Sequence, residues 1–328
     1  MCPAPRLVSD ILLASLLSPV VLAFVLGALA VAVRSDLEIP EPLYQSLSIY
    51  LLLAIGLKGG MALSETPLAA VALPAAVTLV LGLVTPLTSY GVLRHFGGFD
   101  RVNAAALAAH YGSVSVVTFI AAQTVATYAS SPPEAFMSAL VAVLEVPAIL
   151  VGLMIAHAGG GRAGSWQKAL REVVTGRSIV LLVGGMVIGA VAGTDGMAPV
   201  VPFFVVGFQG ALVLFLLDMG MVAARRLRDL RRVGPFLVAF GVLMPLAHGA
   251  LGVWAGGVAG LSVGGAAVLG AMVSSASYIA APAAVRVGLP EANPAYYLTA
   301  SLGVTFPFNL TVGIPLYLAL ATWLGRTP

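Results

Sequence analysis

Two short hydroxyl-rich segments carry the residue types best suited to bind a small ion. One runs from Tyr111 to Thr118 and the other from Ser274 to Pro282. A helix interrupted at such a segment would offer N–H groups to an anion, and its unwound carbonyls would suit a cation. Because small residues and serines also pack helices without any ligand, packing is the alternative for each segment alone. As a pair they favour a binding site, with candidates Gly112, Ser113, Ser115, Thr118, Ser274, Ser275, Ser277 and Tyr278.

Ionisable residues also lie inside long apolar stretches. Lys58 and Asp218 are two of them, and His248 follows a proline in a third. A charged side chain in the centre of a bilayer costs about 2.5–3.5 kcal/mol on insertion scales, so each is a functional candidate. Lys58 and Asp218 could pair with each other, form another structural ion pair, or let the lysine reach the interface. For His248 we favour a hydrogen-bonded structural role.

A third polar group accompanies two prolines. Glu145 precedes Pro147, and Thr305 precedes Pro307 with Asn309 just beyond. A proline inside a helix frees a carbonyl one turn back, so such kinks can line a polar cavity. Glu145 is therefore the best candidate for a cation ligand or a protonation site. A hydrogen-bonded structural carboxylate is an equally good interpretation.

The composition places these residues in a membrane protein. Hydrophobic residues make up 60% of the 328 positions and charged residues 9%, against about 25% charged in soluble domains. Cys2 is the one cysteine, so no internal disulfide forms, and no Cys/His cluster predicts a metal site. We expect no cofactor beyond a possible coupling cation, and no nucleic-acid partner, since the net charge is only +3.

A transmembrane helix needs roughly 20 apolar residues, and the chain contains ten such stretches. The first follows a single basic residue, Arg6, and we interpret it as a helix and not as a signal peptide. The sixth is the shortest and the weakest prediction. The predicted spans are 12–33, 43–63, 67–92, 102–127, 136–157, 178–193, 201–223, 235–257, 263–287 and 297–324.

The distribution of basic residues orients these spans. Thirteen lysines and arginines fall in one set of alternate loops, and only Arg6 and Arg326 fall in the other set with the termini. The positive-inside rule then predicts that both termini lie outside and that the linker at 158–177 is cytoplasmic.

The two halves of the chain resemble each other at an offset near 160. Lys58 corresponds to Asp218, Gly60 to Gly220, and Pro147 to Pro307. Five spans per half is an odd number, so the second half must lie inverted in the membrane. We predict a first repeat at 1–157, the linker at 158–177, and a second repeat at 178–328. Inverted repeats are typical of secondary transporters.

Two other classes of protein fit less well. An intramembrane metalloprotease needs an HExxH-type helix, and the four histidines do not fit that spacing: His95, His110, His157 and His248. A di-aspartate protease needs two intramembrane aspartates, and only Asp218 lies in a predicted span. We therefore do not expect the protein to be an enzyme. A non-transporting sensor would need an output domain from a partner, since the chain has no soluble domain.

The chain resembles the sodium-dependent bicarbonate transporter family over nearly its whole length. The strongest similarity runs from Arg286 to Tyr296. Further family-like stretches are 55–62, 145–148, 219–221, 245–249 and 314–316.

This resemblance implies an all-α integral membrane protein of about ten helices in two inverted five-helix repeats. The fourth and ninth spans would be broken and crossed in a core domain, and the first, second, sixth and seventh would form a gate domain. The family also implies a homotrimer and, for some members, a small cytoplasmic regulator of the PII type. The chain departs from the family at Val116 and Val117, where flexible or hydroxyl residues are expected, and at Tyr278, where an acidic residue is expected.

These observations together predict a secondary transporter in the lipid bilayer. It would import bicarbonate, sodium-coupled, by elevator-like alternating access. The alternatives are a symporter of another small organic anion on the same fold and a non-transporting membrane sensor.

Overall fold

The structure, a computed structural model, describes residues 16–158, 166–227 and 230–325. Most residues in these ranges are helical and none forms a strand, so the prediction of an all-α membrane protein is confirmed. Cys2, Arg6, Arg162, Arg228 and Arg326 lie outside the described residues.

Thirteen helices follow one another along the described ranges. They are α1 Pro19–Ala32, α2 Glu41–Glu65, α3 Leu68–His95, α4 Arg101–Gly112, α5 Val116–Tyr128, α6 Met137–His157, α7 Trp166–Val174, α8 Arg177–Met197, α9 Phe208–Leu227, α10 Leu230–Val258, α11 Val263–Ser274, α12 Ala280–Gly288 and α13 Pro294–Leu324. Within the described residues, eight helical stretches are long and apolar enough to cross a membrane, and α1 and α11 are shorter apolar helices.

Three predicted spans differ in detail from the helices observed. The fourth is divided between α4 and α5, and the ninth between α11 and α12. The seventh was predicted from residue 201, but α9 begins at Phe208 after a 3-10 turn and a π turn. Pro199 and Pro202 lie in that approach, and each removes a backbone donor that a regular α-helix needs.

Four helices form two closely packed pairs. α2 packs along α8, and α1 packs along α9. A side chain added at Gly60 would meet the backbone of α8 at Met186, and one added at Gly220 would meet the backbone of α1 at Phe24. Small residues allow such close approach in membranes, where dispersion contacts drive helix association. Gly60 and Gly220, which correspond in the two halves, therefore each allow a neighbouring helix to approach closely.

The remaining long helices form two similar groups. α3, α4 and α6 pack against one another, and so do α10, α11 and α13. α5 packs on α11, and α12 packs on α4, which joins the groups. α13 contains π-helical turns at Thr299–Thr305 and Asn309–Gly313, on either side of Pro307. The proline explains this irregularity, because it cannot donate to a regular helical ladder.

The linker contains a short helix. α7 packs against α12 and α6, and Val173 is buried there. The described part of the 158–177 linker is thus held against the α12 end of the helix bundle.

Candidate functional site

The two hydroxyl-rich segments interrupt their helices and contact each other. The backbone is non-helical at 113–115 and at 275–279. The Ser115 N–H donates to Ser275 Oγ at 2.8 Å, and the Ser277 N–H donates to the His110 carbonyl at 2.8 Å. The structure therefore brings the two halves of the predicted site together. All eight candidate substrate-binding residues are buried.

Each helix that follows an interruption has a backbone N–H bonded to a serine hydroxyl, and Ser115 is the N-cap of α5 whereas Ile279 is the N-cap of α12. Ser115 Oγ accepts the Thr118 N–H at 3.2 Å, and Ser277 Oγ accepts the Ala281 N–H at 3.3 Å. The N–H groups of Val116 and Val117 precede the first intrahelical hydrogen bond of α5, so they have no helical carbonyl to bond. Both helix starts therefore direct partial positive charge into the contact between the interruptions.

Two buried hydroxyl groups at this contact have no hydrogen-bond partner among the described residues: Thr118 Oγ1 and the phenol oxygen of Tyr278. The Tyr278 ring packs edge-on against Phe306, with centroids 5.5 Å apart, and its hydroxyl approaches Ser115 without ordinary hydrogen-bond geometry. A buried unpaired hydroxyl is unfavourable unless a ligand or water satisfies it. These two groups can therefore donate to a small anion placed at the helix starts.

Gly112 and Ser113 fix the first interruption to its neighbours. A Cβ atom at Gly112 would lie 2.6 Å from Pro86 and 2.7 Å from Ala148, so only glycine fits between α3 and α6. Ser113 Oγ donates to the Glu145 carbonyl at 3.2 Å. The interruption is thus anchored to α6, beside the proline kink.

Glu145 lies between α6 and α8. Its side chain is 1% exposed, and Ser178, near the start of α8, is within hydrogen-bonding reach of the carboxyl group. Oε2 has no partner in the ranges that the structure describes. The group can therefore accept a proton or coordinate a cation through its second oxygen.

Thr305 and Asn309 hold the kinked helix α13 to its neighbours. Thr305 Oγ1 donates to the Gly241 carbonyl at 2.7 Å and lies 2.7 Å from the Tyr111 hydroxyl, which donates to it. Asn309 Nδ2 donates to the Ser274 carbonyl at 3.1 Å. Both side chains therefore satisfy polar groups near the interruptions, and neither is brought into contact with Glu145 by these bonds.

Lys58 and Asp218 lie apart although they correspond in sequence. The Lys58 ammonium lies over the Phe208 ring, 5.1 Å from its centroid. Asp218 interacts electrostatically with Arg225, which is on the same helix, α9, and with Glu41. Glu41 is the first residue of α2, whereas Lys58 lies toward the end of that helix. The pairing considered from the sequence is therefore not formed.

His248 joins the two groups of helices. Its Nε2 lies 2.9 Å from Thr88 Oγ1 on α3. This is the hydrogen-bonded structural position favoured from the sequence.

A cavity of about 570 Å³ lies between α2, α5, α8 and α9 and the loop before α6. Sequence reasoning identified one of its residues, Lys58, but missed the polar residues Gln123, Thr124, Ser138 and Gln209 that also line it. Each of these four is a single polar residue in an apolar stretch, so nothing in the sequence indicates that they lie together. Ser138 differs from the other three because its buried hydroxyl has no hydrogen-bond partner among the described residues. The eight candidate substrate-binding residues are not among the lining residues.

Fold and site together define a multi-pass helical membrane protein with two interrupted helices meeting in its interior. The model of the Na+-dependent bicarbonate transporter superfamily matches residues 19–322. The chain belongs to this superfamily, which confirms the family resemblance seen in the sequence. None of the curated proteins compared with the chain matches it.

Proposed function

We propose that the protein imports bicarbonate across the bacterial inner membrane, coupled to sodium, by elevator-like alternating access. Family membership supports the substrate class and the transporter class. The observation that carries the proposal is the contact between the two interruptions, where the Ser115 N–H bonds Ser275 Oγ. Irregular backbone at membrane depth persists where it is buried in protein or lines a cavity, and transporters place their substrate there.

The anion would lie between the starts of α5 and α12. The N–H groups of Val116 and Val117 would donate to its oxygens, together with the unpaired hydroxyls of Thr118 and Tyr278. Hydrogen bonds to a charged group are stronger than neutral ones, and the low dielectric of the buried site strengthens them further. Ser113, Ser115, Ser275 and Ser277 would act chiefly by holding the two interruptions in register.

Two hydrogen bonds support the inverted repeat and its boundaries at 1–157, 158–177 and 178–328. Ser115 bonds Ser275, and Thr88 bonds His248; each bond joins positions 160 apart. Residues near a pseudo-twofold axis meet residues close to their own counterparts, and both pairs lie within two positions of the local sequence matches, so they fit an axis passing between the halves. The packing of α2 on α8 and of α1 on α9 fits the same axis.

We assign the sodium to the neighbourhood of Glu145. The family's acidic position is occupied by Tyr278, which has no carboxylate to offer. Hard cations prefer oxygen ligands, and the free Oε2 of Glu145 is such a ligand inside the membrane. The proposed sodium site therefore lies on the fifth span, at Glu145, and not on the ninth span, at Tyr278.

Orientation and assembly complete the proposal. The termini would lie outside and the linker in the cytoplasm, as the basic loops indicate, and the chain would form a homotrimer. A PII-like regulator would have to bind a linker whose helix α7 is already packed on α12. Native mass spectrometry of the purified protein would measure the trimer, and a pull-down with a PII-like protein would measure the regulator.

The test is uptake of labelled bicarbonate into proteoliposomes at fixed pH, with an inward sodium gradient or with potassium in its place. We expect uptake with sodium only. Equal uptake with sodium and with potassium would support bicarbonate as the substrate and contradict sodium coupling. No uptake in either, from protein shown to be folded, would contradict bicarbonate as the substrate.

A small organic anion is the second candidate substrate. Val116, Val117 and Tyr278 make the anion site less polar than the family pattern, which suits an anion with an apolar part. Competition by acetate or pyruvate against labelled bicarbonate distinguishes the two. Stronger uptake of a carboxylate than of bicarbonate would favour this candidate.

A further inference from the structure

We propose that Lys58 and Ser138 form a separate entry site for a small singly charged oxyanion in the 570 Å³ cavity. The inference rests on the proposed transport function, because it concerns the path of the same anion. The site lies between α2 and α6, and it is distinct from the contact between the two interruptions. Both residues line the cavity.

Lys58 supplies the positive charge. It is half-buried, and its ammonium is held over the ring of Phe208 at 5.1 Å from the centroid. No carboxylate pairs with it within the described ranges. A ring face attracts a cation less strongly than a carboxylate does and leaves its net charge in place. The ammonium is thus positioned beside the cavity and remains available to an anion.

Ser138 supplies a second donor. Its side chain is 4% exposed, and its Oγ has no partner among the residues that the structure describes. It lies against Gly59, the residue next to Lys58. A buried hydroxyl tends to be satisfied, and an oxyanion seated beside Lys58 would accept its hydrogen.

The two carboxylates of the cavity each accept one hydrogen bond, and neither pairs with Lys58, while Glu134 Oε2 has no partner among the described residues. Glu65 accepts a hydrogen bond from the Thr194 hydroxyl. Glu134 Oε1 accepts the Ser262 N–H at 2.5 Å, at the start of α11, where the helix dipole offsets its charge. Glu65 is seven residues beyond Lys58, about 10 Å along the helix. Glu65 is exposed and Lys58 is half-buried, so this carboxylate lies nearer the surface than the lysine.

The cavity also leads toward the proposed central site. Its lining continues along α5 from Tyr128 through Gln123 to Ile120. Ile120 is two residues from Thr118, which carries one of the unpaired hydroxyls of the central site. An anion held at Lys58 would thus be captured before it reaches the starts of α5 and α12.

The native chain has a single cysteine, so a cysteine placed at the site can be modified selectively once Cys2 is replaced. We would combine Cys2→Ser with Met61→Cys, because Met61 lines the cavity three residues from Lys58 and its replacement leaves the lysine in place. The purified protein in nanodiscs would then be treated with charged methanethiosulfonate reagents. Bicarbonate should slow the modification several-fold. Tyr128→Cys in the same background is the matched control, because Tyr128 is 64% exposed at the cavity rim and should be modified equally fast with and without bicarbonate.

Transport measures the same site independently. The KM of uptake should rise at least fivefold in Lys58→Met and in Ser138→Ala, while Lys58→Arg retains most of the affinity. A positively charged adduct on Lys58→Cys should restore the KM, and a negatively charged adduct should raise it further.

The outcomes separate the entry site from the proposed function. Wild-type uptake of bicarbonate with unchanged KM in Lys58→Met and no protection of the cysteine would overturn the entry site and leave the function standing. Protection by sodium chloride but not by potassium bicarbonate would also overturn it, since the ligand would be a cation. Protection by acetate in a protein that does not transport bicarbonate would support the site and contradict the substrate.

Discussion

Tyr278 presents a buried hydroxyl that bonds no described residue, and this gives the sharpest single-residue prediction. Tyr278→Phe removes the hydroxyl and keeps the ring against Phe306. If the hydroxyl donates to the anion, its loss costs about 1.5–3 kcal/mol of binding, so KM should rise roughly tenfold or more. The midpoint of thermal unfolding should stay unchanged or rise, because no protein hydrogen bond is lost. An unchanged KM would remove Tyr278 from the site.

Glu145→Gln tests where the coupling ion binds. Glutamine keeps the shape of the side chain and its bond to Ser178 but removes the negative charge. We expect the sodium dependence of uptake to be lost, because a neutral amide is a poorer ligand for a hard cation than a carboxylate. Ser178→Ala is the control, since it removes the hydrogen bond and keeps the carboxylate, and its sodium dependence should persist. Sodium dependence that survives in Glu145→Gln would place the ion elsewhere.

The residue types of the site were predictable from the sequence, but their partners were not. Ser115 and Ser275 were identified because hydroxyl-rich segments in mid-span are unusual, and the structure joins them directly. Lys58 and Asp218 correspond in sequence, yet they have different partners. Lys58 lies over the Phe208 ring, and Asp218 interacts with Arg225 and Glu41. Ser138 was missed because its significance depends on the missing hydrogen bond, which only three-dimensional contacts reveal.

At the scale of elements, paired glycines determine how closely the helices approach. A methyl group at Gly60 would meet the α8 backbone, and one at Gly220 would meet the α1 backbone. Backbone cannot move aside as a flexible side chain does, so Gly60→Ala and Gly220→Ala should each destabilise the protein by about 1–3 kcal/mol. Scanning fluorimetry in detergent should show this as a lower unfolding midpoint.

Gly184→Ala is the matched control for this prediction. Gly184 lies on α8, and nothing is within 4 Å of a Cβ atom added there. Alanine has the higher helix propensity, so Gly184→Ala should leave the midpoint unchanged or raise it slightly. Equal destabilisation in all three variants would show that helix contact is not the cause.

The elements themselves were largely predictable, because hydrophobic length marks a membrane helix so strongly. The weak sixth span, predicted at 178–193, corresponds to the part of α8 before Gly193, where a positive φ interrupts the helical backbone. The predicted start of the seventh span at 201 agrees with the helical stretch Pro202–Leu227. The π turn that precedes α9 was not predicted, because hydropathy does not distinguish a π turn from an α-helix. The irregular turns of α13 likewise depend on how Thr305 and Asn309 bond their neighbours, which hydropathy does not encode.

At the scale of the whole molecule, the proposed mechanism requires α1, α2, α8 and α9 to move against the other long helices. A disulfide across that boundary should therefore arrest transport. Gly59 and Ser138 lie on α2 and α6, and a Cβ atom at Gly59 would be 3.0 Å from that of Ser138. In a Cys2→Ser background, oxidised Gly59→Cys/Ser138→Cys should lose uptake and recover it on reduction.

A second disulfide tests whether cross-linking alone is harmful. Gly241 and Val304 lie on α10 and α13, which would move together, and a Cβ atom at Gly241 would also be 3.0 Å from that of Val304. Oxidised Gly241→Cys/Val304→Cys should therefore transport at the rate of its reduced form. Because Ser138 also belongs to the proposed entry site, each oxidised protein is compared with its own reduced form. Only a loss of uptake that reduction reverses reports relative motion of the two groups of helices. Equal activity in both oxidised proteins would mean that the two groups of helices transport without sliding, and the elevator-like mechanism would be wrong.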